Sequence, residues 1–130
     1  MLASARWHNQ GRRIVYLAES PAGAMIEALV HLEVDPANPP PNYTLLKLEV
    51  PSELEIPTLE FTDWADTVAT RAAGDGWLRA GASALLRVPS VIAPETWNVL
   101  LNPVHGDAAR LRVVWKQRQP WDARLVEGLL

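Results

Sequence analysis

The chain has 130 residues, a formal charge of −3 and 48% hydrophobic content, enough for one domain around one core. The slightly acidic balance gives no case for a nucleic-acid surface, which is usually basic, and no apolar run approaches the ~20 residues of a bilayer span. With no cysteine, disulfides, thiolate zinc sites and cysteine nucleophiles are excluded. The opening Met1-Leu-Ala-Ser-Ala-Arg6 lacks the apolar stretch of a secretory signal, so a cytoplasmic protein is expected. Six tryptophans are many for this length and suit a core, a stacking site or an interface.

Residues 13–19, with β-branched Ile14 and Val15 and the aromatic Tyr16, read as a strand. Ser20-Pro21 then supplies a hydroxyl N-cap and a proline at the first helical position. The helix it starts runs to about Leu32. Apolar residues occupy most of its circumference, which predicts a buried helix. Asp35 to Asn42 holds four prolines and reads as an intradomain loop. Tyr43 to Val50 alternates, with Leu46, Leu48 and Val50 set against Lys47 and Glu49, as a half-buried strand does. Pro51 to Asp63 reads as a loop, and Trp64 to Arg79 as one or two helical turns interrupted at Gly74-Asp75-Gly76. Ser83 to Pro89 is a further strand, and Thr96 to Leu101 a short helical segment. Leu111 to Lys116 alternates, with Leu111, Val113 and Trp115 on one face; the tail from Gln119 has no clear class. The order lacks the βαβα rhythm of a parallel doubly wound sheet. That favours a single α+β domain over residues 1–130 with a mixed or antiparallel β core.

Glu27 is the residue that points to chemistry. It interrupts the apolar segment Pro21-Ala-Gly-Ala-Met-Ile-Glu-Ala-Leu-Val-His-Leu32, where a carboxylate needs a watered cleft or a strong partner. Arg6, ahead of the first strand, is a candidate partner, and Tyr16 lies on the strand between them. A second cluster is Leu86-Arg-Val-Pro-Ser90, which sets a serine just past a strand-ending proline. The plainer reading of Ser90 is a turn hydroxyl bonding its own backbone, and of Asn98 and Asn102, residues that cap or hold loops. No Gly-x-Ser-x-Gly elbow surrounds Ser90, which argues against a serine hydrolase. Glu27 and His31 share a helical face, and His105 with Asp107 offers further metal ligands, but no His-Glu-x-x-His motif supports that site.

Read together, Arg6, Glu27 and Ser90 look like the arginine, glutamate and serine that name the RES domain family. Ala5-Arg6-Trp7 resembles that family's Gly-Arg-Trp, and Val15-Tyr16-Leu-Ala-Glu-Ser20 its strand and serine-proline helix start. Glu27-Ala-Leu-Val-His-Leu32, Leu86-Arg-Val-Pro-Ser90 and Leu101-Asn-Pro-Val-His105 resemble its later segments, in order along nearly the whole chain. The resemblance implies a fold similar to ADP-ribosyltransferase domains and a toxin that consumes NAD and is paired with an Xre-like antitoxin. It also implies a strand before the Gly-Arg-Trp segment, whereas only five residues precede Arg6 here.

The implied roles suit these side chains. Glu27 would stabilise the positive charge that grows on ribose as the nicotinamide bond breaks. Arg6 would pair with the pyrophosphate or ribose, and Tyr16 would stack on nicotinamide. Ser90 would bond the ribose or orient Glu27, not act as nucleophile, and no metal is expected. The acceptor of the ADP-ribose stays open between water, phosphate and a protein side chain. So does assembly, as a homodimer or as a larger complex with antitoxin. Two readings compete: a non-catalytic module that binds a partner through the same cleft or its tryptophans, and a metal-dependent hydrolase using Glu27, His31 and His105.

Overall fold

The computed structural model of the chain describes residue 7 and residues 13–31, 41–60 and 66–127. Its elements run β1 (Val15–Ala18), α1 (Pro21–His31), β2 (Asn42–Glu49), α2 (Thr67–Ala80), β3 (Leu85–Pro89), β4 (Trp97–Leu101), a 3-10 turn (Gly106–Arg110), β5 (Arg112–Pro120) and α3 (Ala123–Glu127). The strands form two antiparallel sheets, one of three strands in the order β1-β4-β3 and one ribbon of β2 with β5. The class is α+β. No helix among the described residues is long and apolar enough to cross a membrane.

The segment expected to be helical, Thr96 to Leu101, is instead β4, the centre of the three-stranded sheet. It pairs on one side with β1 (Ala18↔Asn98, Tyr16↔Leu100) and on the other with β3 (Val88↔Asn98, Leu86↔Leu100). Partners on both sides satisfy its backbone, and that outweighs any local preference of Trp-Asn-Val-Leu-Leu. Leu86, Val88 and Leu100 lie on one face of this sheet and form the core with Trp7; Ile14, Leu59 and Trp77 pack around them. The outer edge of β3 is covered by residues 57–59. Arg87 N–H donates to Pro57 C=O and Leu59 N–H to Arg87 C=O, both at 2.8 Å, which removes an exposed strand edge.

Four further expectations are corrected. α2 runs without a break through Gly74-Asp75-Gly76, from its Asp66 N-cap, which accepts from Ala69 N–H at 3.1 Å, to a left-handed Gly81 at φ 62°. Gly74 belongs there because the backbone of Trp7 crosses against it; a Cβ at 74 would sit 1.5 Å from the Trp7 carbonyl oxygen. α1 is not buried all round: Ile26 is 42% exposed and Val30 57%. In β2 the alternation breaks at a register shift between Lys47 and Leu48, and Leu46 faces solvent at 51% exposure. Val113, Val114 and Trp115 on β5 are exposed as well, so no strictly alternating buried face forms there.

The tryptophans divide among several tasks. Trp7 is buried in the core and Trp77 packs on it, donating its indole N–H to Ser83 Oγ at 3.0 Å. Trp97 lies under the Arg87 guanidinium at 4.2 Å, and Trp121 packs on Tyr43 with ring centres 4.6 Å apart. Trp64 lies outside the described residues.

Candidate active site

The site is built where α1 meets the three-stranded sheet. Ser20 caps the helix as its sequence predicts: its Oγ accepts from Gly23 N–H at 3.0 Å, and its carbonyl accepts from Ala24 N–H at 3.0 Å. Two turns on, half-buried Glu27 faces the loop after β3 and the middle of β4. Its Oε1 accepts from the Ser90 hydroxyl at 2.9 Å and from Asn98 Nδ2 at 2.8 Å. Glu27 and Ser90, paired on the strength of sequence, are therefore in direct contact.

Ser90 holds its own loop, as the plainer reading of it had it, and also contacts Glu27. Its oxygen accepts from Ile92 N–H and Ala93 N–H, each at 3.2 Å, while its own N–H donates to Thr96 C=O at 2.8 Å and closes the β3–β4 loop. With both lone pairs of the hydroxyl engaged, its single proton is left for Glu27. That geometry makes Ser90 a donor to the Glu27 carboxylate.

Tyr16, on β1 opposite Leu100, accepts from Trp7 N–H at 3.2 Å through its hydroxyl. Burial of the phenol pushes its pKa up to about 12, against the Trp7 hydrogen bond, which lowers it. The residue as a whole is nonetheless 41% exposed. The two observations agree if the oxygen is turned inward and the ring lies at the surface, an arrangement that suits stacking. Arg6 lies outside the described residues.

Two contributors were missed from sequence. Asn98, read there as a loop-holding residue, instead reaches Glu27 from the central strand. Asn102 does hold a loop: it is 3% exposed, and its Oδ1 accepts from Val104 N–H at 3.2 Å. Arg87 pairs with Glu19 at 2.6 Å, immediately before α1, while stacking on Trp97. It thus ties the start of the helix to β3. Being partly exposed, the ion pair is worth at most ~1 kcal/mol, so its effect is mainly positional. A backbone-free signal for either residue is absent from the sequence, since both contacts join positions more than sixty residues apart.

For metal binding, His105 Nδ1 accepts from Asp107 N–H at 3.0 Å and caps the 3-10 turn. The His31 side chain lies outside the described residues. Among those described, no three histidine, aspartate or glutamate side chains are grouped to hold an ion.

Relatives of known family share this sequence over most of its length. The chain is 42% identical over 125 residues to Toxin Res of Pseudomonas putida, a match covering 94% of this chain and 86% of the relative. It is 34% identical over 134 residues to the Prs ADP-ribosylating toxin of Sphingobium sp., covering 96% and 82%. Toxin Res of Photorhabdus laumondii is 37% identical over 135 residues, covering 98% and 85%. The RES domain model matches residues 1–125, and on that match and these identities the chain belongs to the RES domain family.

Proposed function

We propose that this protein is a toxin that consumes NAD by cleaving its nicotinamide–ribose bond and passing the ADP-ribose to an acceptor. The observation that carries the reading is Glu27, a carboxylate whose Oε1 is held by two neutral donors, Ser90 and Asn98, at the meeting of α1 and the sheet. A group so held has its orientation fixed before substrate arrives, which is what electrostatic stabilisation requires. The name of the Sphingobium relative, an ADP-ribosylating toxin, supports the same chemistry.

In this reading the C–N bond breaks and its electron pair leaves with nicotinamide, neutralising the pyridinium nitrogen. Positive charge grows on the ribose, opposite Glu27. The acceptor then adds to the anomeric carbon and releases its proton. Tyr16 offers its ring to the nicotinamide, and Arg6 its planar fork to the pyrophosphate or ribose. The toxin relatives support a neutralising protein partner, for which an Xre-like antitoxin covering this cleft is the candidate. Residues 1–130 act in this proposal as one domain.

The test compares wild type with Glu27→Gln, following free nicotinamide with and without phosphate and with cell lysate as a source of protein acceptors. Glutamine retains a carbonyl oxygen that accepts from Ser90 and Asn98, so only the charge is removed. Release by wild type and its loss in a folded Glu27→Gln protein is the expected result. Phosphate dependence, or labelling of a lysate protein, then names the acceptor. Silence under all three conditions from folded wild type refutes the enzyme and leaves a binding module.

A further inference from the structure

The geometry points to Asn98 as a positioning residue that acts through Glu27, an inference that rests on the function proposed above. Asn98 lies at the middle of the central strand, paired on both sides, with Ala18 of β1 and Val88 of β3. Its register puts it on the face that carries Val88 and Leu100, both fully buried. An aliphatic residue is the ordinary occupant of such a position.

The amide there is used at one end only. Nδ2 donates to Glu27 Oε1 at 2.8 Å, whereas Oδ1 is buried and has no hydrogen-bond partner. A buried acceptor without a protein partner costs stability, because part of the solvation it had in the unfolded chain is lost. Asn98 is thus a poorer choice for folding than an apolar residue of its shape. What it provides in return is the bond to Glu27.

That bond suits the demand on the carboxylate. Two donors converge on one oxygen, Ser90 from a loop and Asn98 from the sheet, so the carboxylate plane is fixed from two directions. An amide does this without bringing a positive charge, which would neutralise the group meant to face a developing cation. The link from β4 fixes where Glu27 sits relative to the sheet. Asparagine holds the catalytic carboxylate in place at a cost in stability, a trade common at functional sites.

The experiment uses the full chain and NAD, with Asn98→Leu as the main variant and Asn98→Ala beside it, so that a folded protein lacking the amide is secured. Nicotinamide release and urea unfolding are measured for each. The expected result is a kcat lowered about 10- to 100-fold with KM changed less than about threefold, as loss of one charge-assisted hydrogen bond to Glu27 predicts. The urea midpoint of Asn98→Leu is expected to equal or exceed that of wild type. An active wild type whose kcat is unchanged in Asn98→Leu overturns the proposal and leaves the function standing. A folded wild type that releases no nicotinamide overturns both.

Discussion

Gly74 and Gly76, two residues apart and so on opposite sides of the same helix, should respond to alanine with opposite signs. Glycine in a helix interior costs about 1 kcal/mol relative to alanine, so by propensity alone both replacements stabilise. At Gly76 the nearest atom to a new Cβ is Arg79 Nη2, the end of a flexible side chain, at 4.0 Å. Gly76→Ala is therefore expected to gain the full ~1 kcal/mol. At Gly74 the new Cβ would lie 1.5 Å from the Trp7 carbonyl oxygen and 2.7 Å from its carbon. The Trp7 backbone would have to retreat by about 2 Å to restore ordinary contact. Trp7 is 3% exposed and packs on Leu86, Val88 and Leu100, so retreat pulls its ring from the core. Overpacking costs ~1–3 kcal/mol, and a collision between two backbones belongs at the top of that range. Setting ~3 kcal/mol against the ~1 kcal/mol helix gain leaves a net loss of about 2 kcal/mol. With a urea slope of ~2 kcal/mol/M, the midpoint falls by about 1 M in Gly74→Ala and rises by about 0.5 M in Gly76→Ala. Far-UV circular dichroism in urea measures both. A Gly74→Ala protein as stable as wild type would refute the close crossing of Trp7 over α2.

Ser90→Ala removes the hydroxyl donor to Glu27 and the acceptor of two backbone N–H groups. It should lower kcat for nicotinamide release ~10- to 100-fold and destabilise the fold by about 1 kcal/mol; an unchanged kcat would exclude Ser90 from holding the carboxylate. Tyr43→Phe leaves Tyr16 as the sole tyrosine, so its ionisation can be followed by tyrosinate absorbance. The midpoint should lie near 12 and not at the ordinary 10.0. Because folding favours the protonated phenol, the unfolded chain releases this proton first. Stability linked to Tyr16 is therefore complete below pH 10 and is lost as pH rises toward about 12. A midpoint at 10 would mean that the Tyr16 oxygen is solvated.

Much of the site was legible in the chain because its signals are local. Ser20-Pro21 announces the start of α1 by capping chemistry, and Glu27 stands out because a carboxylate in an apolar helix requires an explanation. Ser90 stood out by its place just past a strand-ending proline. Asn98 was misplaced because its strand was read as a helix. Five residues of mixed apolar character have no period long enough to separate the two, and the pairing with β1 and β3 that decides the matter is remote in sequence. The glycines of α2 misled for a related reason. Their penalty of ~1 kcal/mol each is visible locally, while the reason for Gly74 is a tryptophan backbone from the other end of the chain.

The sequence by itself therefore determined the strands β1, β2, β3 and β5 in outline, the cap of α1 and the prominence of Glu27, since capping, β-branching and a charge in an apolar segment are properties of neighbouring residues, whereas Ser90 was set beside Glu27 by the family resemblance. Only the tertiary structure decided that β4 is the central strand, that α1 leaves part of its apolar surface open, and that Asn98 meets Glu27 across 71 positions. Those outcomes depend on which backbone groups and side chains from distant segments satisfy one another, and that pairing exists only once the chain has closed on itself.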